Sequence, residues 1–448
     1  MFEISSSQMP MYVLDKNGLG QCNILCGSLI LPKKISINKL QEVANKLFEK
    51  NDCLRSCFIE KDGKVYQDIK PFKEKEFEVL RFNSKEELDK FGEVYGTIPL
   101  KLDIKSIGEG FPKSKWKYPK ASNSFIFNEY IHNIKMFFTK MRMGMLKRKK
   151  TSCELMLVDL PNSSGAIIKM HHVISDAWSM MLVANQFIKL LNGEEIEMFD
   201  YKEFAENQNQ YFLSERYKKD MEFMDKEALK CPKKTWIWST PYSSTGCKRK
   251  TYTLSSEITK AINTYCTKNN TTPFMLFVTA VSIYANHKLK KDKFYVGPAM
   301  LGRSTYKEKN TIGMFVKVPP MLIELDQNDT FIQTIEKINK KSLNVYRHQN
   351  ANFHIMDGPN IMFDLTVSYQ NATLDADPSV ICTQYYCEYS PGDNQVLSIE
   401  DRALEGKYKI HFDHNVKIGE KEVDELFKEV VDVINKGIRD DSIKISEL

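Results

Sequence analysis

The stretch from Ala166 to Leu191 constrains this chain more than any other, because its hydrophobic period changes in mid-course. Ala166-Ile167-Ile168-Lys169-Met170 is a short β-rich run, whereas Trp178, Met181, Leu182, Ile188 and Leu191 fall near helical spacing. The pattern predicts a strand that turns into a helix. The turn carries Met170-His171-His172-Val173-Ile174-Ser175-Asp176-Ala177-Trp178-Ser179. Two adjacent histidines, and an aspartate four residues after the second, therefore sit at the end of a rigid element. A strand end fixes an imidazole in place, and a pKa near 6.5 lets the neutral ring take a proton at physiological pH. N–H groups opening the helix lack intrahelical acceptors and can stabilise developing negative charge. The same string also suits a hydrogen-bonded structural turn, so taken alone it leaves both readings open.

At 448 residues the chain exceeds one ordinary core, and two subdomains are expected. The N-terminus, Met1-Phe2-Glu3-Ile4-Ser5, lacks the regions of a signal peptide, and the best apolar run, Phe274 to Ala285, is broken by Thr279 and Ser282. A cytoplasmic location is expected, with the ten cysteines as reduced thiols. Cys22/Cys26 and Cys53/Cys57 share a CxxxC spacing, but each pair lies in a segment better explained otherwise, and no metal is expected. Charge is uneven: Lys113 to Lys150 holds eleven Lys or Arg against Glu129 alone. This basic run suits a surface helix with a solvated face. It also suits a docking surface for an acidic carrier protein, the phosphates of CoA or an anionic membrane. No nucleic-acid motif accompanies the charge, so nucleic acid is not an expected partner.

Elsewhere the pattern alternates between strand and helix. Ser36 is a candidate N-cap before the stripe Leu40, Val43, Ala44, Leu47 and Phe48, and a hairpin is expected around Lys61-Asp62-Gly63-Lys64. In the second half, Thr272-Pro273 opens a helix over Phe274 to His287, and the strand Lys293 to Val296 leads towards Gly302-Arg303. Strand-like Val316 to Ile323, a helix near Phe331 to Tyr346, strands near Ile361 to Tyr369 and Tyr408 to Phe412, and a last helix over Glu420 to Lys436 follow. The expected class is α/β (α+β), with two halves each built on a mostly antiparallel sheet. The division is 1–195, with a basic insertion at 105–150, and 196–448.

Several short motifs in fixed order resemble those of condensation domains from nonribosomal peptide synthetases, within the chloramphenicol-acetyltransferase-like acyltransferases. They are Ser5-Ser6-Ser7-Gln8 with Met11, Tyr12 and Leu14; Leu54-Arg55-Ser56 with Phe58; the HHxxxD string; Tyr201-Lys202-Glu203-Phe204-Ala205; Ile312-Gly313-Met314-Phe315-Val316-Lys317; His348-Gln349-Asn350; and a faint match at Asp364 to Asn371. The resemblance covers nearly the whole chain. It implies two acyltransferase-like lobes forming a V-shaped pseudo-dimer with a central tunnel. It makes His172 the catalytic base and Asp176 a structural acid paired with Arg303, with Arg55 the second choice of partner. His171 then supports the turn, and an N–H near Ala177 holds the oxyanion. Tyr12, Trp178, Ser179, Gly313 and Ser368 become substrate-binding positions. Departures are Ala177 where the family has Gly, which is strained if that residue needs φ > 0, Lys317 for Asn, and Asn51-Asp52-Cys53 before Leu54.

The function so implied is that of a freestanding condensation-like acyltransferase. It moves an acyl group from a thioester, on carrier-protein phosphopantetheine or on CoA, to an amine or hydroxyl. The donor is a substrate, and no permanently bound cofactor is expected. Two alternatives stand beside this: a CoA-dependent O- or N-acyltransferase with a small or lipid acceptor, and an inactive module that recruits partners. The intact His171, His172 and Asp176 argue against the last.

Overall fold

A computed structural model describes the chain except for residues 17–19, 109–149, 232–234, 239–245, 352–362, 376–378, 387–394 and 402–405. Most of the basic run therefore lies outside the described residues. The chain forms two compact units, and the first is discontinuous. It comprises Met1–Leu213, Arg303–Val316 and Thr373–Tyr389, and the second comprises Ser214–Gly302, Lys317–Ala372 and Ser390–Leu448. A single cut at 195/196 is thus replaced by a chain that re-enters the first unit twice.

The first unit holds a five-stranded sheet in the order Ile381–Tyr385, Ile24–Leu31, Ser164–His171, Cys153–Asp159, Val79–Arg81. Every pair is antiparallel except the last, which is parallel. Ser164–His171 is central and buried at all eight residues, which is why its sequence runs apolar without alternation. Its one charged member, Lys169, is buried: Nζ donates to the carbonyls of Ile98 (3.0 Å) and Tyr95 (3.3 Å) at the end of helix Lys85–Thr97. Those carbonyls are the negative end of a helix dipole, so they satisfy a cation that water cannot reach. Helix Ile37–Lys50 is capped by Ser36 Oγ and buries the expected stripe Leu40, Val43, Ala44, Leu47 and Phe48. A second sheet orders Phe2–Glu3, Lys64–Ile69, Ser56–Lys61 and Ile104–Ile107.

The second unit is built on a six-stranded sheet ordered Met321–Glu324, Lys293–Pro298, Leu365–Gln370, Gln395–Glu400, Lys409–Asn415, Cys247–Thr253. Its inner pairs, Lys293–Pro298 with Leu365–Gln370 and Leu365–Gln370 with Gln395–Glu400, are parallel. The other three pairs are antiparallel, so the sheet is mostly antiparallel, as expected, around a parallel centre. A parallel pair needs a long crossover, and helix Phe331–Arg347 lies within the first of these connections. Thr272 caps helix Pro273–Leu289 through the N–H of Met275. That helix is buried from Met275 to Asn286, as its all-round apolar sequence requires. No helix among the described residues is long and apolar enough to cross a membrane.

Candidate active site

Strand Ser164–His171 ends on a fully buried imidazole, and the chain then makes a short 3-10 turn, His172–Ile174. His171 Nδ1 accepts the N–H of Val173 at 3.0 Å, so it holds a lone pair and the ring proton of the neutral form lies on Nε2. Nε2 faces Asp15 Oδ1 at 3.3 Å. His171 is therefore committed to the turn. His172 is the opposite case: its Nδ1 is buried and has no hydrogen-bond partner. Burial lowers its pKa below the ordinary value of 6.5, more than the nearby Asp176 charge and backbone carbonyls raise it. The second histidine is thus held neutral at physiological pH, as a base must be.

Asp176 caps helix Ala177–Leu191. Its Oδ1 accepts the N–H of Ser179 at 2.8 Å, and its Oδ2 accepts Arg303 Nη1 at 2.5 Å and the N–H of Phe315 at 3.1 Å. Three donors on a buried carboxylate leave it no role as an acid or base, and its function here is architectural. Arg303 Nη2 donates to Ser179 Oγ (2.9 Å) and to the carbonyls of Thr311 (3.1 Å) and Gly313 (3.3 Å), while its guanidinium lies 3.9 Å from the Phe315 ring centre. The planar fork of arginine can serve all these partners at once, which a lysine could not. Ser179 Oγ in turn donates to the Gly313 carbonyl (2.8 Å) and accepts the Gly313 N–H (3.0 Å). Gly313 is needed by space as well: a Cβ there would stand 2.0 Å from the Tyr201 ring.

The same frame collects the other motifs. The Tyr201 hydroxyl donates to the Met314 carbonyl (2.5 Å) and bonds Ser5 Oγ (2.7 Å). Gln8 Nε2 donates to the Val173 carbonyl (2.8 Å) and to Gln67 (2.6 Å), and Gln67 reaches Ser56 (2.6 Å). The motif residues near 5–8, 56, 176–179, 201 and 312–315 are therefore members of one hydrogen-bonded frame around the histidine turn.

Several expected site residues take other places. Tyr12 is fully buried and donates to Glu60 at 2.6 Å, and Ser179 and Gly313 are buried in the frame, so all three act on position. Trp178 is partly exposed and donates to the Lys309 carbonyl at 2.8 Å. Ser368 belongs to the second unit, opposite Ser398 in its sheet. Arg55 pairs with Asp52 and not with Asp176. Ala177 opens the helix without strain, since the non-glycine residues of positive φ among those described are Asp62, Asn270 and Lys290. Lys317, in the second unit, donates to Asn350, which joins the ends of two motifs there. Asp15 was missed by sequence reasoning. The signal was present, because residues 8, 12 and 15 recur at helical spacing. Among the described residues no cluster of His, Cys, Asp and Glu could hold a metal ion.

The mixed α/β sheets and the histidine turn are those of the chloramphenicol-acetyltransferase-like fold. A family model for the condensation domain matches residues 128–448, and the chain belongs to that family. It is similar to surfactin synthase subunit 1 of Bacillus subtilis (strain 168), 24% identical over 390 residues, covering 83% of this chain and 10% of that protein. It is also similar to gramicidin S synthase 2 of Brevibacillus brevis, 21% identical over 477 residues, covering 100% of this chain and 10% of that one. The chain thus spans about a tenth of these relatives. Among solved structures, the first condensation domain of the calcium-dependent antibiotic synthetase matches with a TM-score of 0.77 at 12% identity, over 100% of this chain and 98% of that one. The starter condensation domain of rhizomide synthetase RzmA, a double mutant in complex with C8-CoA and Leu-SNAC, matches with a TM-score of 0.76 at 13% identity, over 100% and 96%.

Proposed function

We propose that this protein transfers an acyl group from a thioester to an amine or hydroxyl, with His172 as the base. The observation that carries the reading is the contrast between the two histidines. His171 has both nitrogens engaged, whereas His172 has a buried Nδ1 free of partners and a pKa lowered by burial. As the acceptor nitrogen or oxygen attacks the thioester carbonyl, its proton passes to His172 Nε2. The carbonyl oxygen then carries negative charge, which the N–H of Ala177, the first residue of the helix, stabilises. The C–S bond breaks, and the departing thiolate takes up the proton. Direct attack needs no covalent enzyme intermediate, so placement of the two substrates contributes much of the rate.

The donor is either acyl-CoA or an acyl group on carrier-protein phosphopantetheine, and the acceptor is a small amine or alcohol. The RzmA domain seen with C8-CoA and Leu-SNAC supports both the CoA donor and the amine acceptor. The reading is tested by mass spectrometry of products formed from short and long acyl groups on CoA and on carrier protein, with pooled acceptors. A new acyl product is expected, and the preferred donor separates the carrier-dependent reading from the CoA-dependent one. Folded protein that makes no product from any donor would favour a recruiting module.

The pH profile offers a separate check. A base must be unprotonated to act, so kcat/KM should rise with pH and level off by neutral pH. The midpoint of that acid limb should fall below 6.5, because burial disfavours the imidazolium. A limb centred above 6.5 would assign the titration to another group.

A further inference from the structure

We infer that Asp15 is a positioning residue for the catalytic turn, acting through His171; this rests on the proposed role of His172. Asp15 terminates the helix Gln8–Leu14, and that helix holds the turn from two points seven residues apart. At its start, Gln8 Nε2 donates to the Val173 carbonyl at 2.8 Å, and at its end Asp15 Oδ1 meets His171 Nε2 at 3.3 Å. Residues seven apart lie on one helix face, so one rigid element grips both sides of the turn. Tyr12 stands between them on that face, fully buried, with its hydroxyl on Glu60.

The contact decides which nitrogen of His171 carries the proton. A carboxylate offers only acceptors, so it selects the tautomer with the proton on Nε2. Nδ1 is then left as an acceptor for the Val173 N–H, and Ser175 Oγ closes the turn onto the His171 carbonyl at 3.1 Å. In the other tautomer, Nδ1–H would face the Val173 N–H, a donor against a donor in a buried place. The turn would open and His172 with it. The arrangement parallels metal-site histidines, where a carboxylate on the far nitrogen fixes the ring's tautomer and direction. Gly20 completes the site: a Cβ there would lie 2.3 Å from Asp15 Oδ1, so only glycine lets the carboxylate stand where it does.

The test reads the tautomer directly, by nitrogen NMR of histidine-labelled protein with the His171 signals assigned through a His171→Asn variant. The wild type should show a protonated Nε2 and an unprotonated Nδ1 on His171. This needs no substrate, so it stands whether or not acyl transfer is found. A wild-type His171 protonated on Nδ1 would overturn the inference. Two variants then probe the grip: Asp15→Leu removes the acceptor, and Gly20→Ala displaces the carboxylate while keeping both partners. Each should lose the single-tautomer signature and, with a productive donor, lower kcat about 10-fold or more, with KM within about twofold, because positioning acts on the reacting geometry. Asp15→Asn can still offer an oxygen to Nε2 and should retain most of the signature and rate. Folded Leu and Ala variants that keep both the tautomer and kcat would refute the role, as would equal losses in Asp15→Asn and Asp15→Leu.

Discussion

Replacing His172 by alanine should cut acyl transfer by about 10² to 10⁴-fold, the usual contribution of a positioned general base, and leave the fold in place. The asymmetry follows from the bonding. Asp176, Ser179, Arg303 and Gly313 hold one another and the segment around Phe315, and none of their hydrogen bonds runs through the His172 ring. His172 Nδ1 is itself without a partner, so truncation breaks no hydrogen bond at that atom. Single-turnover transfer with the productive donor, compared with unfolding curves of both proteins, measures the two effects separately. A variant that folds normally and still transfers at near wild-type rate would remove His172 from the chemistry and leave it part of the turn.

Arg303→Leu should be the most damaging change to the first unit, at about 3–5 kcal/mol, the range for breaking a buried ion pair from one side. Arg303 and Asp176 are almost wholly withdrawn from water, with side-chain exposures of 0% and 1%. Leucine would leave the Asp176 carboxylate with only two backbone N–H donors and would strip Arg303's share of the bonding from Ser179 Oγ and the carbonyls of Thr311 and Gly313. The companion double variant, Arg303→Leu with Asp176→Asn, should recover part of this loss. Asparagine removes the stranded charge and still caps the helix. Denaturant unfolding, with amide exchange over 177–191 to report on the first unit, gives both values. A loss for Arg303→Leu within about 0.5 kcal/mol, the scale of ordinary surface changes, would mean that the pair does not hold this segment.

Much of the site was legible because its elements are local. The strand, the histidine pair, the capping aspartate and the helix lie within one stretch, and each follows from period and residue type. Ser36 and Thr272 were legible as caps for the same reason. The roles of Tyr12, Ser179 and Gly313 were not. A sequence motif records that a residue type is required, but it does not say whether the residue touches substrate or holds the residues that do. Burial and bonding decide that, and all three proved to be buried. Asp15 escaped notice because its partner is 156 residues away.

The sequence by itself determined the family, the histidine turn and several helix starts. These rest on short-range spacing, on side chains that bond their own helix's first N–H groups, and on motif order along the chain. Only the tertiary structure decided that Arg303–Val316 and Thr373–Tyr389 belong to the first unit, that the inner strands of the second sheet run parallel, and that Asp15 faces His171. The physical reason is common to all three. Each depends on which distant segments exclude water from one another, and that is settled by long-range burial and by the need of buried polar groups for partners. Neither leaves a period in the local sequence.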